Sequence, residues 1–103
     1  MSRLEQLQTM LAEEPGDAFL RYAIAVELAA AGQRPEAIAQ VQQLLANKPD
    51  YLGAYYQLGQ WLEQEGKTAE ALHTYHLGAE LARQTGNRKT LGELNEAIWL
   101  LED

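Results

Sequence analysis

The 103-residue sequence contains no cysteine, which excludes disulfide bonds and any metal site that needs a thiolate ligand. It also lacks an apolar run long enough to span a bilayer, so we expect no membrane insertion. A charged and then apolar secretory segment is missing as well, because the first residues lead straight into a helical pattern. These absences together favour a cytoplasmic protein.

Basic residues are scarce in this chain. It has 8 Lys and Arg residues against 15 Asp and Glu residues, which gives a formal net charge of −7. A chain with this charge repels phosphate backbones, so we expect no nucleic-acid partner. The same charge weakly favours neutral or basic partners.

Proline is also rare, with 3 residues in the chain. Two of them, Pro15 and Pro49, are 34 positions apart, and other residues recur at the same distance. The recurring pairs are Tyr22 and Tyr56, Leu28 and Leu62, Gly32 and Gly66, and Glu36-Ala37 and Glu70-Ala71. A period of this length is typical of stacked helical hairpins.

Apolar residues at three- and four-residue spacing predict six helices and no strand. A capping box from Ser2 to Glu5 predicts that the first helix begins there. Asp17, Asp50 and Thr68 are further candidate caps, while Gly32, Gly66 and Gly86 are candidate helix ends and Pro35 suits a first turn. Short connections between the helices favour antiparallel neighbours.

The residues at these turns and helix contacts resemble the tetratricopeptide repeat family. Its pattern is Trp-x2-Leu-Gly-x2-Tyr on one helix, followed by Ala, an aromatic residue, Ala and Pro on the next. The matching positions are Tyr55, Leu58, Gly59, Leu62, Ala71, Tyr75 and Gly78 in the second unit, and Ile24, Ala25, Leu28, Ala37, Val41, Leu44 and Pro49 in the first. Arg21 replaces the Trp of the first unit, and Arg83 replaces the closing Pro of the second, which predicts a long fifth helix.

The resemblance implies an all-α fold, a right-handed superhelical stack of antiparallel helix pairs (a TPR-like α-solenoid) with about six helices. We expect a small two-repeat protein with helical caps that forms a single domain over residues 1–103. Its parts are an N-terminal half-repeat helix at 3–14, repeat one at 18–51, repeat two at 52–85 and a C-terminal capping helix at 88–102. Small residues, among them Ala25 and Gly59, are expected where the helices of a pair touch.

The resemblance also implies a concave groove lined by the first helix of each repeat. The groove positions in this sequence are Phe19, Tyr22, Val26, Tyr56, Gln57, Gln60 and Trp99, with Glu63, Glu93 and Glu96 expected on the same face. We expect a protein-protein interaction module that binds an apolar or basic segment of a protein or peptide partner there, because aromatic rings dominate binding surfaces. Two alternatives stay open: the same aromatic surface closes a homodimer, or the tyrosines only pack against neighbouring helices.

The sequence gives little support for two other activities, the binding of C-terminal carboxylates and the binding of a metal. The family's clamp for C-terminal carboxylates is not matched, because Tyr22, Val26 and Glu93 occupy places of its Lys, Asn and Arg residues. His73 and His76 have metal-ligand spacing, but they are expected on the outer, solvated face, and a catalytic zinc needs a third ligand. We therefore expect no catalytic residue, no metal, no cofactor and no enzymatic activity.

Overall fold

The computed structural model describes residues 2–102, a range that contains six α-helices and no strand. The helices are α1 (Arg3–Glu13), α2 (Ala18–Ala30), α3 (Arg34–Asn47), α4 (Gly53–Gln64), α5 (Thr68–Thr85) and α6 (Arg88–Leu101). The ends of the predicted domain, Met1 and Asp103, lie outside the described residues. The prediction of an all-α fold with about six helices is confirmed.

Two of the predicted N-terminal caps are confirmed. The Ser2 hydroxyl accepts a hydrogen bond from the Glu5 N–H, and the Glu5 carboxylate accepts one from the Ser2 N–H, both at 3.1 Å. Asp17 accepts from the Leu20 N–H at 3.1 Å and so begins α2. Each cap satisfies an N–H group that would otherwise lack a partner at the start of its helix.

The caps predicted at Asp50 and Thr68 are wrong. Helix α4 begins after Leu52, where backbone carbonyls of the preceding turn accept from the first helical N–H groups and no side chain caps them. In α5 the cap position falls on Lys67, whose carbonyl accepts from the Ala71 N–H at 2.9 Å, so Thr68 is already helical. In both places the backbone alone starts the helix.

Glycine ends three of the helices, as the sequence predicts. Gly32, Gly66 and Gly86 have φ angles of 85°, 76° and 73°, in the left-handed region that favours glycine. Helix α5, which runs on to Gly86, has 18 residues and is the longest of the six described. The long fifth helix predicted from Arg83 in place of the closing Pro is therefore confirmed.

The chain divides between Pro49 and Asp50 into two compact units. In the first unit α2 packs against both α1 and α3 around a core of Leu7, Leu20, Ile24, Ala25, Leu28, Ala37, Ile38, Val41 and Leu44. Met10, three residues after Leu7 in α1, is exposed. The single-domain extent and the repeat bounds stay predictions.

In the second unit α5 packs between α4 and α6 around a core that includes Tyr55, Leu58, Trp61, Leu62, Tyr75, Ala79, Leu94 and Ile98. A Cβ at Gly78 would lie 2.6 Å from Tyr55 Cβ, and one at Gly59 would lie 2.5 Å from Tyr75 Cδ1. Tyr55, near the start of α4, contacts Gly78 of α5, and Gly59, further along α4, contacts Tyr75, which comes earlier in α5. The two helices therefore run antiparallel. The close contact predicted at Gly59 is confirmed.

Candidate functional site

Helices α4 and α6 of the second unit border a cleft of about 340 Å³. Its lining residues are Tyr56, Gln60, Glu63, Glu93, Glu96, Ala97 and Leu100. Tyr56, Gln60 and Glu63 follow each other at four- and three-residue spacing, which places them on one face of α4. The structure thus brings together Tyr56 and Gln60 with the three glutamates that the sequence expects on the same face.

The cleft combines negative charge with an apolar wall. Glu63, Glu93 and Glu96 supply three carboxylates and there is no Lys or Arg among the lining residues. Tyr56 remains 38% exposed and Leu100 62% exposed, so both offer apolar surface to a ligand. This arrangement suits a group that is positively charged at one end and apolar along its length.

A buried tyrosine hydroxyl organises one side of this cleft. Tyr75 of α5 donates a short hydrogen bond to Glu63 Oε2, and Gln60 Nε2 donates to the Tyr75 hydroxyl at 2.6 Å. Gln60 Nε2 also lies 3.4 Å from Glu63 Oε2. One oxygen of the Glu63 carboxylate therefore has protein donors, and the carboxylate is held in a defined orientation.

The position of the Tyr75 ring is fixed by packing. The residue is 0% exposed, and its ring lies against the backbone of Gly59. Burial, and then the hydrogen bond to Glu63, raise the pKa of the hydroxyl above its ordinary value of 10.0, so Tyr75 stays a neutral donor. The Tyr56 ring packs at 6.1 Å from the Tyr75 ring, which means that Tyr56 both packs on a neighbour and lines the cleft.

Two other predicted groove residues of the second unit do not line the cleft. Gln57 is half-buried and lies one position after Tyr56, about 100° further around the axis of α4. Trp99 precedes Leu100 by one position, is 74% exposed and points about 100° away from it. Leu100 lines this cleft and Trp99 does not, and the assignment of Trp99 to a partner-binding groove stays a prediction.

The predicted groove residues of the first unit form an apolar stripe on α2. Phe19, Tyr22 and Val26 are separated by three and four residues, so they share one face of the helix. Phe19 is 62% exposed, Val26 is exposed and Tyr22 is half-buried. In the first unit, this stripe is a surface on which large apolar side chains meet solvent.

Both histidines of α5 are exposed, as the sequence predicts. His76 Nε2 lies 3.7 Å from Glu102 Oε2, and both side chains are more than half exposed. Within residues 2–102 no group of three or more His, Asp or Glu residues lies close enough to hold a metal ion. None of the helices in that range is long and apolar enough to cross a lipid bilayer.

Sequence reasoning missed two features of the cleft. Leu100 follows Glu96 by four positions and Glu93 by seven, a spacing that places it on their face of α6. The repeat pattern specifies an aromatic ring at Tyr75 and says nothing about its hydroxyl. The 34-residue register could have drawn attention to this hydroxyl, because Tyr75 corresponds to Val41 of the first repeat, which has no polar side-chain atom.

Solved structures show which family this fold belongs to. The solution structure of a tetratricopeptide repeat domain protein from Salinibacter ruber is 40% identical in sequence, with a TM-score of 0.81. The match covers 85% of this chain and 89% of the Salinibacter domain. This chain belongs to the tetratricopeptide repeat family. Its two recurring units at a 34-residue spacing are thus tetratricopeptide repeats.

Two more distant tetratricopeptide-like structures share the fold. The TPR2B domain of yeast Sti1, in a complex with pHsp70, is 21% identical with a TM-score of 0.86, over 96% of this chain and 79% of that one. The type III secretion chaperone SycD from Yersinia enterocolitica, in complex with a peptide of the translocator YopD, is 20% identical with a TM-score of 0.74, over 97% and 79%. Neither a scan against protein-family models nor a search of the curated proteins found a match.

Proposed function

We propose that this tetratricopeptide repeat protein is a protein-protein interaction module that binds an extended or helical segment of a partner. The α4–α6 cleft is its proposed binding site, and a segment with apolar and basic residues is its proposed ligand. The observation that carries the proposal is the meeting of Glu63, Glu93 and Glu96 with the exposed surfaces of Tyr56 and Leu100 in one open cleft.

Elementary electrostatics supports a basic ligand. The aliphatic stem of a lysine or arginine can pack along Tyr56 and Leu100 while its charged head approaches the carboxylates. An arginine head over the Tyr56 ring would gain a cation–π interaction as well. A partner's C-terminal carboxylate would be repelled by the same glutamates, which agrees with the mismatch to the family's carboxylate clamp.

The structural neighbours support the general class of function. The Sti1 domain and SycD, which share this fold, are described in complexes with pHsp70 and with a YopD peptide. By analogy of fold, a short helical repeat stack is suited to holding a segment of another protein. A non-enzymatic role and a cytoplasmic location for this chain stay predictions from the sequence.

The α2 stripe of Phe19, Tyr22 and Val26 is proposed as a second contact surface for the partner. Its two exposed members present apolar area that would stabilise a complex when buried, at about 25 cal/mol per Å². Phe19→Ala removes the most exposed ring of this stripe without changing a residue of the buried core of the first unit. We expect it to weaken binding of a long partner segment.

The test uses three fluorescein-labelled decapeptides of leucine and alanine that differ at two central positions. These positions carry arginine, its neutral isostere citrulline, or glutamate. Fluorescence anisotropy should rank their affinities as arginine, then citrulline, then glutamate, and added salt should weaken the first of these most. Equal affinity for all three peptides, or no binding by the intact chain, would refute the proposal.

A matched pair of double variants locates the binding. Glu93→Gln with Glu96→Gln removes two carboxylates from the cleft, and we expect about a tenfold loss for the arginine peptide. Glu13→Gln with Glu14→Gln makes the same change in net charge at exposed positions of the first unit. If both double variants weaken binding equally, the effect comes from overall charge and not from the cleft.

A homo-oligomeric structural unit is the second candidate function. It is favoured by Trp99 and Leu100, which are adjacent and 74% and 62% exposed on α6. Light scattering over a wide range of protein concentration would detect a dimer, and Trp99→Ala should dissociate it. A monomer at every concentration would remove this candidate.

A further inference from the structure

The network of Gln60, Glu63 and Tyr75 belongs to the second repeat alone. In the 34-residue register these positions correspond to Val26, Ala29 and Val41 of the first repeat, which are all apolar. The first repeat thus builds its α2–α3 hairpin with none of the three polar groups. Since the scaffold does not require them, the joint change to Gln, Glu and Tyr needs another reason.

Packing against Gly59 requires the ring of Tyr75 but not its hydroxyl. A phenylalanine ring could fill the space of the Tyr75 ring against Gly59 equally well, because that contact uses ring carbons only. The hydroxyl instead reaches two residues of the cleft lining, Gln60 at 2.6 Å and Glu63 by a short hydrogen bond. Gln60 and Glu63, its two hydrogen-bond partners, both line the proposed binding site.

We propose that Tyr75 is a positioning residue that sets the charge preference of the cleft, because its buried hydroxyl holds the Glu63 carboxylate and the Gln60 amide towards the bound segment. This inference rests on the proposed function and names how the same site distinguishes a basic side chain from a neutral one. Tyr75 acts through Glu63, and it does not itself line the cleft.

The physical basis is the orientation of one carboxylate. Glu63 is half-buried, and Oε2 accepts from Tyr75 and lies within reach of Gln60, which leaves Oε1 for a ligand's donor. Without the hydroxyl, the flexible Glu63 side chain gains rotamers that turn its charge away from the cleft. A cationic ligand then loses a preformed partner, whereas a neutral one loses little.

The test is Tyr75→Phe, measured with the arginine and citrulline decapeptides. We expect the affinity for the arginine peptide to fall by about five- to tenfold and that for the citrulline peptide to stay within about twofold. The control is Thr74→Val, which removes a neighbouring buried hydroxyl that donates to the Glu70 carbonyl at 2.9 Å. It should leave the ratio of the two affinities unchanged.

Glu63→Gln keeps the inference testable if Tyr75→Phe folds poorly, because alone it should lose the same preference for arginine, and an unchanged ratio there would overturn the inference. Where Tyr75→Phe folds, adding it to Glu63→Gln should change the ratio no further, because the tyrosine acts through the glutamate. An unchanged ratio in Tyr75→Phe, while the wild type prefers arginine, overturns this inference and leaves the proposed function intact. A wild type without any preference for arginine overturns both.

Discussion

Gly59→Ala is a sharp test of the packing between α4 and α5, because two effects of opposite sign act on it. Alanine in a helix interior is favoured over glycine by about 1 kcal/mol, so propensity alone would stabilise the chain. The added Cβ, however, would lie 2.5 Å from Cδ1 and 2.6 Å from Cζ of the Tyr75 ring. That ring is buried and tied by its hydroxyl to Glu63 and Gln60, so it cannot swing aside.

Overpacking of this kind costs about 1–3 kcal/mol, and we expect the upper part of that range here, since several ring carbons are involved. The net expectation is a loss of about 1–2 kcal/mol in the free energy of unfolding. Gly92→Ala is the matched control in the same unit, because Gly92 lies within α6 and a Cβ there would have nothing within 4 Å. It should stabilise by about 0.5–1 kcal/mol.

Urea unfolding followed by circular dichroism measures both variants against the wild type. The two variants should change the free energy of unfolding in opposite directions, with a difference of about 1.5–3 kcal/mol between them. In a Tyr75→Leu background the loss from Gly59→Ala should shrink or reverse, since the clashing ring atoms are gone. A Gly59→Ala protein as stable as Gly92→Ala would refute the close contact described here.

Three further predictions concern stability. Asp17→Ala should lower the free energy of unfolding by about 1 kcal/mol by removing the cap of α2, whereas Asp50→Ala should change it little, as measured by urea titration. Leu94→Ala, at a fully buried position, should lower it by about 2–5 kcal/mol, and Leu77→Ala, at an exposed one, by far less; equal losses would contradict the assigned core. Folding raises the pKa of Tyr75, so this tyrosine loses its proton at a lower pH in the unfolded chain than in the folded one. The free energy of unfolding should therefore keep its full value below pH 10.0 and fall as the pH rises above it. Tyr75→Phe should reduce this alkaline loss, and an unchanged pH profile would count against the buried hydroxyl.

Local signals in the sequence predicted much of the fold. Ser2 and Asp17 begin their helices and Gly32, Gly66 and Gly86 end theirs, because each effect involves only a few neighbouring residues. Asp50 failed as a cap because the backbone of the turn at Tyr51 and Leu52 starts α4 without it. A capping residue in the sequence is therefore a candidate that the turn geometry can override.

The candidate site was harder to predict because it depends on how α6 is rotated about its axis. The apolar residues of α6 include Leu94 and Ile98 in the core but also Trp99 and Leu100 outside it, so periodicity alone leaves the cleft-facing side open. Packing of Leu94 near Gly78 settles that rotation, and it turns Leu100 into the cleft. The Tyr75 hydroxyl escaped prediction because a repeat pattern records the ring at that position and not its polar atom.

The central claim is that the α4–α6 cleft binds a segment with basic and apolar residues, and a titration followed by nuclear magnetic resonance tests it most directly. The chain labelled with nitrogen-15 would be titrated with the arginine decapeptide. We expect the largest amide shift changes at the cleft residues Tyr56, Gln60, Glu63, Glu93, Glu96, Ala97 and Leu100. Changes confined to the exposed side of α5 around His73 and His76, or no changes at high peptide concentration, would contradict the account.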